Sequence, residues 1–134
     1  MPGKLMIFAA SSRTKYYRLM FLTAALWNAL AAVAVLFLIN KGTPRMALDA
    51  IGQELLAACL ATFGLGYYWM SRDLSKNRDL VRLGAIGKLL VFVVFLGHLL
   101  LGRITLRLAL PSLVDLLFGI LFLEFLARFE RKPQ

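Results

Sequence analysis

From Leu19 to Ile39 the chain runs without one charged side chain. A helix rises ~1.5 Å per residue, so a run of this length spans the ~30 Å of hydrocarbon in a bilayer. Three further apolar stretches follow. Ala47 to Met70 carries Asp49, Gln53 and Glu54 near its start. Leu80 to Leu101 is interrupted by Arg82, Lys88 and His98. Leu108 to Phe129 contains Asp115, Glu124 and Arg128. Leu, Ala and Phe dominate, and no period of two appears, which points to helices rather than the strands of an outer-membrane barrel. Of 134 residues, 60% are hydrophobic and 17% charged. Soluble domains carry roughly 25% charged residues. The chain therefore has too little polar surface to coat a water-soluble fold, and too much apolar mass to stay disordered.

The connections between these stretches are short. Lys41-Gly42-Thr43-Pro44, Ser71 to Asp79, and Gly102 to Arg107 are the breaks. Short connections force neighbouring helices to run antiparallel. The expectation is an all-α fold: one integral membrane domain over 1–134, a four-helix up-down-up-down bundle with helices at about 18–39, 44–70, 79–101 and 108–129. Thr43 and Pro44 read as cap and first position of the second helix. Pro111 either kinks the fourth helix or marks its start. The apolar run Leu5 to Ala10 is too brief for a secretory signal and reads as a frayed or interfacial segment.

The net charge of +9 is distributed unevenly. Lys4, Arg13, Lys15 and Arg18 precede the first span. Arg72, Lys76, Arg78 and Arg82 surround the middle loop, and Arg128, Arg131 and Lys132 follow the last span. In a four-span serpentine these eleven share one side, against Lys41, Arg45, Arg103 and Arg107 on the other. The positive-inside rule then places both termini in the cytoplasm. Tyr16, Tyr17, Tyr67, Tyr68 and Trp69 fall at that same boundary, where aromatic rings anchor helices. The expected setting is a multi-pass position in a bacterial inner membrane, with anionic lipid headgroups attracted to the cytoplasmic cations. Nucleic acid is a poor partner for this pattern, because no basic run accompanies a reading motif.

Five polar residues fall within the apolar stretches at helical spacings that place them on packing seams. Asn28 lies in the row Tyr17, Phe21, Ala24, Asn28, Ala31, Val35. Glu54 lies in the row Glu54, Ala58, Ala61, Leu65, Tyr68. Lys88 and His98 share the row Gly84, Lys88, Val91, Phe95, His98, Gly102. Asp115 lies in the row Pro111, Asp115, Phe118, Phe122, Phe125, Phe129. Alternating steps of three and four are the seams of left-handed bundles. Counting from the helix ends sets Asn28 near the midplane, Lys88 toward the cytoplasmic side and His98 near the outer boundary. Glu54 and Asp115 fall on the outer side at similar depths. Glu124 lies off the seam and i,i+4 from Arg128, within reach of it or of headgroups.

Intramembrane ionisable groups are costly and usually find partners in the bundle. Two readings stay open. Lys88 and Asp115 form a buried pair that fixes helix register; or Asn28, Glu54, Lys88, His98 and Asp115 gather around a polar cavity that binds a ligand or proton. In the second reading two carboxylates beside one ammonium leave a surplus negative charge, relieved by a proton, a cation or a bound basic group. Glu54 is then the sharpest site candidate. The bland alternatives are helix-to-helix glue for Asn28, an interfacial role for His98, and an outer water vestibule around Glu54.

No catalytic residue is assigned, since hydrolase, zinc-protease and phosphate-loop motifs are all missing. One cysteine, Cys59, and one histidine exclude an intrachain disulfide and a paired-imidazole site. No metal and no cofactor are expected. Three function classes follow: transport or binding of a small molecule or ion through the acidic polar cluster; a non-enzymatic accessory or assembly subunit of a larger membrane complex; and an intramembrane lipid-modifying enzyme. Partners beyond the bilayer would be a second copy or a larger membrane protein. A transporter requires a hydrated cavity reaching Glu54 or Asp115. An accessory subunit requires a filled core and a contiguous small-residue outer face.

In architecture the chain resembles small four-helix bacterial inner-membrane proteins, including small multidrug transporters and DoxX-like proteins. Small multidrug transporters carry a membrane Glu in the first helix. Here that helix has Asn28 and no acid, so the resemblance carries over no residue role.

Overall fold

The computed structural model describes the backbone of residues 2–39 and 47–129, and the side chains of residues 12–37 and 51–129. The described chain is helical and contains no strand. Its elements are α1 (Pro2–Ile39), α2 (Ala47–Arg72), α3 (Arg78–Leu100), a single-turn α4 (Leu106–Ala109) and α5 (Pro111–Arg128). Thr43, Pro44, Lys41, Arg45, Arg131, Lys132 and the side chains of Lys4 and Asp49 lie outside the described residues. The segment before Arg13 is helical and continuous with α1, which begins at Pro2.

Three helical stretches are long and apolar enough to cross a membrane: Ser12–Phe37, Arg78–Leu100 and Leu106–Arg128. This is consistent with a multi-pass membrane protein. Over its described residues 51–72, α2 is not among them. Gln53, Glu54 and the polar edges of Tyr67, Tyr68 and Trp69 dilute its hydropathy.

The chain divides into two compact units, 1–74 and 75–134. In the first, α1 packs along α2. Tyr17, Phe21, Ala24 and Asn28 are buried, so the expected row on α1 is the one used. The expected row on α2 is not. Glu54, Ala58, Ala61, Leu65 and Tyr68 are all exposed, whereas Ala57, Gly64, Tyr67, Ser71 and Leu74 are buried. The seam is displaced by one residue, or about 100° of helix rotation. The cause is Gly64: a Cβ there would stand 3.2 Å from the Ala25 carbonyl oxygen and 3.3 Å from Asn28 Cβ. Two backbones can approach this closely only over a residue without a side chain.

In the second unit α3 packs along α5. Val81, Gly84, Ala85 and Lys88 face Phe118, Gly119, Phe122 and Phe125. The α5 row is used as expected. Beyond Lys88 the α3 seam turns through the half-buried Phe92, Phe95 and Leu99, leaving Val91 and His98 exposed. A Cβ on Gly119 would meet Leu89 Cδ2 at 2.9 Å, so the Leu89 side chain packs over this glycine.

The helix ends follow from local chemistry. Asn77 precedes α3 in the left-handed conformation, φ 58°, which asparagine tolerates better than most residues. After α3, Gly102 has φ 66°. The Gly102 N–H bonds to Leu99 O at 3.0 Å and the Arg103 N–H to His98 O at 2.9 Å. This pair of bonds is a Schellman ending, which glycine at that position permits. Pro111 begins α5 at its first position, where the missing N–H breaks no required bond. The Ser112 hydroxyl, buried, donates to Ala109 O at 2.7 Å across the junction.

Candidate functional site

Large apolar side chains cover much of the outside, and a few polar ones lie within the apolar interior. Leu19, Leu26, Leu90 and Leu100 are exposed, the last at 78%, while Asn28 and Lys88 are buried at 2% and 5%. In a bilayer, exposed leucines meet lipid and buried polar groups must be satisfied inside.

They are. Asn28 Nδ2 donates to Leu60 O across the α1–α2 contact at 3.3 Å. Lys88 Nζ donates to Asp115 Oδ1 at 2.5 Å, an ion pair with side chains 5% and 15% exposed. The ammonium also lies 5.6 Å from the centre of the Phe118 ring, one turn along α5 from Asp115. A ring face stabilises a cation, and more so where water is excluded. Among the described residues no buried side-chain nitrogen or oxygen lacks a partner.

Helix rise gives each group a depth within its own span. Lys88 is one residue from the middle of Arg78–Leu100, about 1.5 Å, and Asp115 is two residues from the middle of Leu106–Arg128, about 3 Å. The pair is at the centre of its helices. Glu54 is at an end. Gly64 is level with Ala25, and ten residues further toward the α2 start Glu54 is level with Val35, two residues inside the last residue of the α1 span. Glu54 is exposed there. His98, in the last turn of α3, is exposed as well. Of the five candidates, the structure joins Lys88 with Asp115 and satisfies Asn28 on α2; Glu54 and His98 take exposed positions on their own units.

Sequence reasoning missed one polar connection. Arg78, at the start of α3, donates through Nη1 to Phe129 O and through Nη2 to Leu126 O, the latter at 2.7 Å. Its guanidinium lies 5.7 Å from the centre of the Phe125 ring, which stacks on Phe129 at 4.9 Å. These carbonyls end α5 and have no helical partners, and a cation there also opposes the negative end of the helix dipole. The signal was available: an antiparallel pair places the start of one helix beside the end of the other. The expected Glu124–Arg128 contact is present at 3.7 Å on the exposed side.

Ala25, Ala29, Ala61 and Gly64 line an apolar groove between Leu26 and Leu65, on the outside of the first unit. Tyr68 closes one end. Ala61, Leu65 and Tyr68 belong to the α2 row that the sequence marked as a packing seam and that α1 leaves uncovered. Among the described residues no group of three His, Cys, Asp or Glu side chains could hold a metal ion. Comparison with known protein families, characterised proteins and solved structures finds no match.

Proposed function

We propose that this chain is a non-enzymatic accessory or assembly subunit that works by lateral packing in the bilayer. The observation that carries this reading is the closed Lys88–Asp115 pair. Transport through an acidic cluster drew its force from a surplus negative charge. The one-to-one pair leaves no surplus charge within the second unit, which supports the packing reading. What the fold leaves open is its apolar outer surface, where Leu19, Leu26 and Leu90 are exposed. The four-helix up-down-up-down arrangement, cytoplasmic termini and an inner-membrane setting belong to the same proposal, supported by the eleven-to-four distribution of cations.

The test is water access combined with contact. In a Cys59→Ala background, Ser112→Cys places a thiol one turn from Asp115. The reading expects no labelling by a membrane-impermeant thiol reagent in intact or inverted vesicles, and full labelling after denaturation. A photo-crosslinker at Leu26 or Leu90 should give one adduct of fixed stoichiometry with another membrane protein. Rapid labelling of Ser112→Cys, with ion or solute flux through liposomes containing the chain alone, would restore the transport reading.

A further inference from the structure

The two stripes that line the groove end in arginine at the same end of the hairpin. On α1 the stripe runs Arg18, Leu22, Ala25, Ala29, and on α2 it runs Ala61, Leu65, Tyr68, Arg72. Steps of three and four keep each on one helix face. The register of the hairpin sets them level. Gly64 lies against Ala25. Seven residues along from this contact are Arg18 on α1 and Ser71, beside Arg72, on α2.

Both arginines are exposed. The Arg72 guanidinium turns back along its helix, donating to the Tyr68 hydroxyl at 3.1 Å and lying 6.0 Å from the centre of its ring. It is thereby held over the residue that closes the groove. Arg18 makes no salt bridge among the described residues. Arg13 and Lys15, also exposed, lie within two turns of it, and Asp73 is the one carboxylate close by in the sequence of this unit. The end of the groove is thus net positive, while the groove itself is apolar.

We propose that this groove binds an anionic glycerophospholipid from the surrounding bilayer. The acyl chain lies on Ala25, Ala29, Ala61 and Gly64, and the phosphate meets Arg18 and Arg72. The dimensions agree: Arg18 to Ala29 covers about 16 Å of helix, close to the ~15 Å of one leaflet's hydrocarbon. Alanine and glycine leave an open apolar groove between Leu26 and Leu65. Guanidinium groups suit a phosphate diester because they offer paired donors in a fixed plane. The proposal concerns lipid alone and stands whether or not the chain is an accessory subunit.

The experiment uses the purified full chain in mild detergent, with palmitoyl-oleoyl phosphatidylglycerol and the matching phosphatidylcholine as probes. Native mass spectrometry should show retained phosphatidylglycerol with roughly tenfold preference over phosphatidylcholine. Arg18→Gln with Arg72→Gln should abolish the preference. Ala61→Leu fills the exposed groove and should lose the lipid with both arginines in place. Arg103→Gln with Arg107→Gln changes the same charge elsewhere and should leave binding intact. Circular dichroism and thermal melting confirm that each variant is folded. Equal retention of both lipids, or unchanged preference in the Arg18/Arg72 variant, overturns the proposal. So does an efficient disulfide dimer of Ala61→Cys in the Cys59→Ala background, which would make a second copy the occupant.

Discussion

Gly64 on α2 lies against Asn28 on α1, so close that an added Cβ would stand 3.3 Å from Asn28 Cβ. The close approach lets the Asn28 amide reach Leu60 O, and it rotates α2 away from the face its alanines would have chosen. A branched side chain cannot enter this contact, because one of the opposing atoms is the Ala25 carbonyl oxygen, which cannot swing aside. Gly64→Val should destabilise the first unit by about 1–3 kcal/mol, the usual range for overpacking. Gly87→Ala is the control. Nothing lies within 4 Å of its Cβ position, so it should stabilise by about 0.5–1 kcal/mol through helix propensity. Unfolding in mixed micelles by denaturant reads both.

Gly119 differs in kind. Its Cβ would meet the Leu89 side chain rather than backbone. Gly119→Ala alone should therefore be tolerated, with a loss of about 1 kcal/mol at most after the helix-propensity gain. Combining it with Leu89→Ala should cost less than the two changes separately. A loss equal to their sum would show that the two positions do not meet.

The Arg78 connection predicts a local effect at a distant point in the chain. Arg78→Gln removes a cation from the last carbonyls of α5, at a cost of about 1–2 kcal/mol for charge-assisted bonds that are partly exposed. Hydrogen exchange should rise in the final turn of α5, near Leu126 and Phe129, and not at the start of α5 near Ser112. Arg78→Lys should recover little, since an ammonium cannot serve two carbonyls and stack on Phe125 in the same geometry.

Membrane orientation is tested by single cysteines in the Cys59→Ala background. The cation asymmetry predicts that Ser75→Cys is labelled only from the cytoplasmic side and Arg103→Cys only from the outside. Labelling of Ser75→Cys from outside would reverse the orientation.

The legible part of the fold was the part written in large hydrophobic periodicity. The α1 row through Phe21 and Asn28 and the α5 row through Phe118, Phe122 and Phe125 are buried where periodicity placed them. Pairing of Lys88 with Asp115 was likewise readable, because a charge in an apolar helix has few alternatives. The α2 face was not legible. Alanine at 58 and 61 and glycine at 64 all suit a close helix contact, and only three-dimensional register selects the glycine. The level of Glu54 is hard to read from α2 alone, whose polar start blurs the boundary of the stretch. The packing of α1 supplies the better ruler. Arg78 was hidden because a positive residue beside a loop has an ordinary explanation as a topology signal.

The charged residues at the core of the second unit, Lys88 and Asp115, form a self-contained pair. A double-mutant cycle on Lys88 and Asp115 tests it most directly. Lys88→Met and Asp115→Leu should each destabilise by about 3–5 kcal/mol, because each strands a buried charge. The double variant should recover most of that loss and keep the helical spectrum of the parent. Losses that simply add would show that the two side chains do not depend on each other, and would contradict the account.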